Sequence, residues 1–164
     1  MSRPTIRPYR DEDWAQLWPI IRETVQAQET YCVDPAISQT DARAWWCTGR
    51  VTVAVDAAGR VRGSGHAYPN REGPGAHVAS ASFMVASDSR GEGVGRRLVE
   101  DVIAWARAQG YAALQFNAVV EGNVGAEVLY ADLGFTTVGT VPGAFRSPTR
   151  GDVGLHVMHL PLGP

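Results

Sequence analysis

Residues 90–97, Arg-Gly-Glu-Gly-Val-Gly-Arg-Arg, decide the fold of this 164-residue chain. The apolar stretch at 82–85 that precedes them is typical of a strand, and apolar residues recur at helical spacing from 94 to 106. The run is therefore predicted to be a glycine-rich turn between a strand and a helix. Glycines allow a sharp turn close to a ligand, and the first N–H groups of a helix attract an anion. The turn thus predicts a site for a phosphate-bearing ligand.

Two common phosphate-binding loops are excluded by the sequence. A Walker A loop needs a lysine after its last glycine, and all fifteen basic residues of this chain are arginine. A dinucleotide-binding loop needs G-x-G-x-x-G, whereas Gly91 and Gly93 are followed by Gly95 and then an arginine. What remains is R-x-x-G-x-G, which by itself is also compatible with a turn that only joins a strand to a helix.

A second motif, N-x-x-A-x-x-L-Y-x-x-L-G-F, occupies residues 123–135. The two motifs, in this order and spacing, resemble the acyl-CoA-binding core of the GNAT acetyltransferase superfamily. The resemblance covers the chain from Thr5 to Leu160 and implies one N-acetyltransferase domain over residues 1–164. The implied fold is of the α/β (α+β) class, with a mixed central sheet of about seven strands, splayed parallel central strands and about four flanking helices.

Composition and charge narrow the class of protein. The chain is 45% hydrophobic and 20% charged, which is typical of a globular protein. A net charge of −2 argues against a nucleic-acid-binding protein, and no apolar run approaches the ~20 residues of a membrane span. Cys32 and Cys47 lack the spacing of metal ligands, and no secretory signal precedes them. We therefore expect no metal, no nucleic-acid or membrane partner, and a cytoplasmic protein.

Hydrophobic periodicity predicts the other elements. Strands are expected at 5–9, 51–55, 61–68, 76–85, 112–119, 135–140 and 153–160, and helices from 11, near 40, from 94 and over 124–133. Pro8 indicates that the first strand lies at an edge of the sheet. The strand–helix–strand order of residues 78–119 implies a parallel pair. Trp14 and Trp18, four residues apart on the first helix, are expected in the core.

The resemblance implies an acetyl-CoA site as well. In the family the pyrophosphate lies on the loop and the helix N-terminus, which here correspond to Arg90, Gly91, Gly93, Val94, Gly95 and Arg96. The pantetheine arm would use backbone groups of Phe83, Met84 and Val85. A backbone N–H near Val85 would face the thioester carbonyl, where a fixed donor stabilises developing negative charge. Asn123 matches a family position that contacts the cofactor, although it is equally typical of a helix N-cap.

Tyr130 and Glu29 are the candidate catalytic residues. Tyr130 matches the family tyrosine that contacts the cofactor and protonates the departing thiolate; the alternative is a core aromatic residue. Its phenol, with a pKa of about 10, would donate to a thiolate whose conjugate acid is near pKa 8.5, which is only somewhat uphill. Glu29, at the end of the first helix, is the candidate general base, and the alternative is a solvated carboxylate.

The need for a base depends on the acceptor. A lysine-like amine with a pKa of about 10.4 costs about 4.6 kcal/mol to deprotonate at pH 7. An α-amine with a pKa near 8 costs only about 1.4 kcal/mol. A strong base is therefore nearly mandatory for the first kind of amine and dispensable for the second.

Four residues are candidates for the acceptor site: His77, Ser80, Asn117 and Arg146. The local sequences at 77–83, 115–117 and 138–146 are similar to a bacterial subgroup of the superfamily related to the yeast enzyme that acetylates proline analogues such as azetidine-2-carboxylate. That enzyme has an asparagine where this chain has Ser80. Asn117 could orient a small amino-acid-like amine, and Arg146, in a predicted loop, could pair with its carboxylate. His77 could serve as a base or be structural.

The leading hypothesis is transfer of an acetyl group from acetyl-CoA to the amine of a small molecule, by direct attack in a ternary complex. One alternative is acetylation of protein N-termini. Another is an acyl-CoA-binding sensor without turnover, against which Tyr130 argues mildly. A homodimer is expected only by analogy with relatives.

Overall fold

A computed structural model describes residues 3–163 and contains a seven-stranded mixed sheet in the order β1-β2-β3-β4-β5-β7-β6. The strands are β1 (Thr5–Pro8), β2 (Arg50–Val55), β3 (Val61–Pro69), β4 (Val78–Val85), β5 (Ala113–Val120), β6 (Thr136–Ser147) and β7 (Gly151–Pro161). Within the described range there are four α-helices: α1 (Trp14–Ala27), α2 (Gln39–Trp46), α3 (Val94–Ala108) and α4 (Val124–Asp132). The predicted fold class is confirmed, and β1, with Pro8 at its end, lies at an edge as predicted.

The central strands β4 and β5 are the only parallel neighbours in the described sheet, and they pair over a short stretch. Their register holds only for Val78 with Ala113 and Ala79 with Leu114, after which the strands diverge. Ala112 N donates to His77 O at 2.9 Å, so the odd-numbered residues of β4 direct their backbone groups towards β5. Beyond Ala79 this edge of β4 has no strand beside it, which confirms the predicted splay.

The two faces of the sheet carry separate cores. Helices α1 and α2 cover one face, where Trp46 and Met84 are buried. Helix α3 covers the other face, where Leu114 and Phe116, two residues apart on β5, are buried. Side chains at the intervening positions of β5 therefore point to the face of α1 and α2. Trp14 stacks on Trp18 with ring centroids 6.1 Å apart, in the first of these cores.

Strand β6 is much longer than the predicted 135–140 segment. It continues to Ser147, and its register with β7 shifts between Val141 and Phe145. Pro142 and Gly143 lie in this bulge, and an edge strand tolerates both residues there. Arg146 therefore lies on a strand, and its placement in a loop was wrong.

Residues 11–13 also differ from the prediction, because they form a 3₁₀ turn ahead of α1. Among residues 3–163 no helix combines the length and the apolar composition that crossing a membrane requires.

Candidate functional site

The loop between β4 and α3 exposes backbone N–H groups at the positive end of a helix. Gly91 and Gly93 have φ values of +80° and +79°, a conformation that glycine adopts without strain. Gly93 is the N-cap residue of α3, and the hydrogen bond from Arg97 N to Gly93 O, at 3.1 Å, begins the helix. The N–H groups of residues 94–96 precede that bond, so they have no partner inside the helix and favour an anion.

The side chains around this loop close it against α4 and β4. A Cβ atom placed on Gly95 would be 3.6 Å from Leu129 Cδ2 on α4 and 3.7 Å from Val85 Cγ2 on β4. A larger side chain would therefore fill the space between the two elements. Arg96 Nη2 is 2.9 Å from Asp132 Oδ2, an exposed ion pair that joins the start of α3 to the end of α4.

Strand β4 offers fewer cofactor contacts than the sequence implied. Ala86 N donates to Arg62 O of β3, so the even-numbered residues of β4 direct their backbone groups towards β3. The backbone of Met84 is therefore turned away from the cleft, and its assignment to the pantetheine arm is not supported. Phe83 and Val85 face the cleft edge, but the two backbone groups of Phe83 have a partner already.

That partner is Tyr31, which the sequence did not single out. Its hydroxyl donates to Phe83 O at 2.5 Å and accepts from Phe83 N at 3.0 Å. The Tyr31 ring makes edge-to-face contacts with Trp45 and Trp46, with centroids 5.8 and 6.3 Å apart. Tyr31 lies between α1 and α2 and carries no motif, so only the tertiary structure brings it to β4.

Tyr130 approaches the same region from α4. Its ring packs on Phe116 and Phe135, with centroid distances of 4.8 and 5.7 Å. Burial raises the pKa of Tyr130, and burial together with the nearby Tyr130 and Tyr68 phenols raises the pKa of Tyr31. Both phenols therefore keep their protons at neutral pH and can act as donors.

Glu29 is held by the turn between β6 and β7. Its Oε2 accepts from Ser147 Oγ at 2.5 Å and from Arg150 Nη2 at 3.2 Å, and its Oε1 accepts from Thr149 Oγ1 at 2.7 Å. These bonds, with that of Ser147 the largest cause, lower the pKa of Glu29 to about 2. A carboxylate so engaged is a poor proton acceptor, so the structure does not support Glu29 as the general base. It fastens the β6–β7 hairpin to the end of α1.

Asn117 belongs to a chain of three amides on the α1–α2 face. Its Oδ1 accepts from Gln115 Nε2 at 2.9 Å, and its Nδ2 donates to Asn70 Oδ1 at 2.6 Å. Asn70 follows β3, so the chain joins β5 to the β3–β4 loop. Ser80, on β4, is buried.

Two other predicted acceptor residues lie elsewhere. His77 is exposed and precedes β4 at the end where β4 and β5 still pair; its Nδ1 is 3.0 Å from Pro74 O. Arg146 is exposed and pairs with Asp152 through Nε and Oδ1, 2.8 Å apart. The structure does not support either residue as an acceptor contact.

Asn123 is the N-cap residue of α4, but its side chain makes no capping hydrogen bond. Its backbone O accepts from the N–H groups of residues 126 and 127. The side-chain amide of Asn123 is therefore not used to cap α4, and its contact with the cofactor stays a prediction.

His66 was also missed by the sequence analysis. It is buried against Trp46, with ring centroids 4.5 Å apart, and neither ring nitrogen has a partner among the described residues. Burial lowers the pKa of His66 to about 4, so the imidazole is neutral at pH 7. In the described part of the chain, no group of three or more His, Cys, Asp or Glu side chains could hold a metal ion.

This geometry agrees with the comparisons with known proteins. Residues 12–135 match the profile of the acetyltransferase (GNAT) family, so the chain belongs to that family. A GCN5-related N-acetyltransferase from Kribbella flavida is 55% identical and has a TM-score of 0.95, over 97% of this chain and 98% of that chain. The structure of yncA from Salmonella typhimurium, which contains acetyl-CoA, shares the fold at 24% identity and a TM-score of 0.86, over 99% and 96% of the two chains.

A curated relative covers less of the chain. Protein SPT10 of Saccharomyces cerevisiae is 35% identical over 78 residues. The match takes in 48% of this chain but only 12% of the length of SPT10. The superfamily assignment made from the two motifs is confirmed.

The Glu29 contacts predict a specific acid sensitivity. The folded pKa of about 2 lies below the ordinary value of 4.5, so the stabilisation is complete above pH 4.5 and disappears as the pH falls towards 2. Glu29→Gln removes this titration. In thermal melts at pH 7 and pH 3.5, the difference in melting temperature between wild type and the variant should shrink at the lower pH. Glu23→Gln, on the exposed face of α1, is the matched control. A constant difference for Glu29→Gln would contradict this role.

Proposed function

We propose that this protein transfers the acetyl group of acetyl-CoA to the amine of a small molecule, by direct attack in a ternary complex. The observation that carries the proposal is the proximity of Gly95 to Val85, since a Cβ atom placed on Gly95 would lie 3.7 Å from Val85 Cγ2. It brings the anion-binding start of α3 directly beside the open edge of β4. A ligand that has both a phosphate group and an extended amide-bearing arm fits this junction, and acetyl-CoA, present in the yncA structure, is such a ligand.

The residues present fit the two halves of acetyl-CoA. The backbone N–H groups of Val94, Gly95 and Arg96 would hold the pyrophosphate, with the exposed Arg90 adding positive charge. The N–H and C=O of Val85 would pair with a pantetheine amide, in the way that a sheet edge accepts an added strand, so the Val85 N–H would not be the donor expected at the thioester carbonyl. Asn123, at the start of α4, would contact the same ligand.

The reaction forms one bond and breaks another. The neutral amine nitrogen bonds to the acetyl carbon and releases one proton to solvent, the carbon–sulfur bond breaks, and the thiolate leaves and takes a proton, which solvent afterwards returns to the donor. Tyr130 is the proposed source of that proton. Burial raises the pKa of this phenol, but the same desolvation raises the pKa of the departing thiol, which keeps the transfer from becoming steeply uphill.

The chemical class of the acceptor is inferred from two conditions: the cost of deprotonating its amine, and the amide chain formed by Gln115, Asn117 and Asn70. Because Glu29 is engaged by the β6–β7 turn, an amine that loses its proton easily is favoured over a lysine-like one. Asn117 and its amide partners supply donors and acceptors suited to a compact polar molecule. A small amino-acid-like amine with a lowered pKa satisfies both conditions. The case for a proline analogue rests on the amide chain and the subgroup resemblance alone, because its secondary amine is about as basic as the side-chain amine of lysine.

Gly93→Asp should abolish acetyl-CoA binding, because it places bulk and negative charge where the pyrophosphate is expected. The chain offers a matched control in Gly59→Asp. Both glycines have φ values near +79° (+79° and +78°), and neither has an atom within 4 Å of an added Cβ. Backbone strain is therefore similar in the two variants. Calorimetric titration should show binding to wild type and Gly59→Asp only, together with a ligand-induced rise in their melting temperatures. Equal affinity for a folded Gly93→Asp would show that the loop assignment is wrong.

Tyr130→Phe should lower kcat with little change in the Kd for acetyl-CoA, because the phenol acts when the thiolate leaves. General acid catalysis typically contributes about 10²–10⁴-fold. Tyr111→Phe removes a phenol whose ring lies 5.3 Å from Trp105, away from this site, and should retain the wild-type rate. Pre-steady-state kinetics should first establish that chemistry limits turnover. An unchanged kcat under that condition would make Tyr130 a packing residue.

Small amino-acid-like amines, proline analogues included, should be acetylated with a higher kcat/KM than N-terminal or lysine-containing peptides. Free CoA release from both panels of acceptors measures this. Asn117→Ala should raise KM for the amine more than KM for acetyl-CoA, because its orienting hydrogen bonds act on the acceptor. Turnover of peptides alone would favour protein N-terminal acetylation. Tight acetyl-CoA binding without turnover of either panel would favour the sensor.

A further inference from the structure

The hydroxyl of Tyr31 takes the place that a neighbouring strand would occupy at Phe83. The N–H and C=O of one residue in an extended strand point to the same edge. At Phe83 both point into the gap between β4 and β5, and one phenol oxygen satisfies both. The N–H of Phe83 is therefore not a bare donor for a ligand, and the hydroxyl of Tyr31 lies directly in front of it.

The thioester of a bound acetyl-CoA would lie at this hydroxyl, an inference that rests on the proposed function. A pantetheine amide paired with Val85 leaves two carbons and a sulfur before the thioester carbonyl. That length is close to the ~6.8 Å step between alternate residues of a strand. The step from Val85 towards the closed end of the cleft leads to Phe83, and so to Tyr31.

We propose that Tyr31 donates the hydrogen bond that stabilises the thioester oxygen as it becomes negative, with the Phe83 N–H supporting the phenol from behind. The hydroxyl proton turns from Phe83 O to the thioester oxygen, while the phenol oxygen keeps the hydrogen bond from Phe83 N. Tyr31 makes no covalent bond and transfers no proton. Protonation of the thiolate is left to Tyr130.

The packing of Tyr31 indicates that its hydroxyl stays at Phe83 as a fixed donor. The alternative is that Tyr31 only satisfies Phe83 in the free protein, as a placeholder, and moves away when acetyl-CoA binds. Its ring is held edge-to-face by Trp45 and Trp46, and Trp46 is itself fixed by a hydrogen bond from Nε1 to Ser64 Oγ at 3.0 Å. Leaving Phe83 would break these contacts, whereas turning the hydroxyl proton when acetyl-CoA binds keeps them and gives up only the hydrogen bond to Phe83 O. A preorganised donor of this kind stabilises charge without reorganisation during the reaction.

The test is Tyr31→Phe, which keeps the ring and removes the hydroxyl. Removal of one such donor typically costs about 10²–10³-fold in kcat, and the Kd values for acetyl-CoA and for CoA should each change by less than about threefold. Tyr68→Phe, which removes the neighbouring phenol of β3, is the control and should retain kcat. A melting temperature close to that of wild type establishes that Tyr31→Phe is folded.

Infrared difference spectra of bound acetyl-CoA with a ¹³C-labelled carbonyl provide a measurement that needs no turnover. The carbonyl stretch should lie at higher frequency in Tyr31→Phe than in wild type, because the hydrogen bond is lost. Tighter binding of acetyl-CoA with an unchanged kcat and carbonyl frequency would mean that Tyr31 is only a placeholder. A Tyr31→Phe protein that loses affinity for CoA and acetyl-CoA equally, or that unfolds while Tyr31→Trp retains kcat, would make Tyr31 structural. Failure of wild type to bind acetyl-CoA would overturn the proposed function itself.

Discussion

The site depends on the early separation of β4 and β5. Two pairs of residues join the strands, and beyond Ala79 the gap between them is lined by aromatic rings. Phe83 and Phe116 meet edge-to-face across it, 5.9 Å apart, and Phe116 stacks on Phe135 at 4.5 Å. These rings fill the α3 side of the gap, so the strands cannot close without displacing a buried cluster. The separation leaves backbone groups at a sheet edge, each of which would cost about 1–3 kcal/mol if buried without a partner.

The contacts that satisfy this edge also divide the cleft. Tyr31 covers Phe83 from the face of α1 and α2, while the glycine-rich loop abuts Val85 from the other face. The proposed phosphate-binding end and the proposed acceptor end of the cleft are therefore on opposite sides of one strand. Only a short length of β4 lies between them, where a thioester would be exposed to both. Phe83 and Val85, which follow one another along the same edge of β4, define this arrangement. A small shift of β4 would therefore disturb both ends of the cleft together.

The sequence predicted those parts of the site that depend on local geometry. The loop at 90–97 needs glycines at positive φ and a helix directly after it, and both are visible in the order of residues. The length of β6 could not be predicted, because Pro142 and Gly143 usually end a strand and only the pairing with β7 accommodates them. The contacts of Tyr31 and Glu29 could not be predicted from the sequence for another reason. Their partners, Phe83 and Ser147, lie 52 and 118 residues away, and no spacing rule connects such pairs.

The contacts of Glu29 link the fold to the choice of acceptor. The same three hydrogen-bond donors that fix the β6–β7 hairpin stabilise the carboxylate, so it holds the hairpin only while it is ionised and engaged. Acting as a base would require it to bind a proton against a pKa of about 2 and to release the hairpin. If the protein acetylates a small amine, as proposed, the acceptor must then reach the cleft with its amine already neutral or easily deprotonated. The proton affinity of the amine would then decide which acceptors react. This selection arises from the contacts that hold the β6–β7 hairpin, and it requires no pocket shaped for one particular molecule.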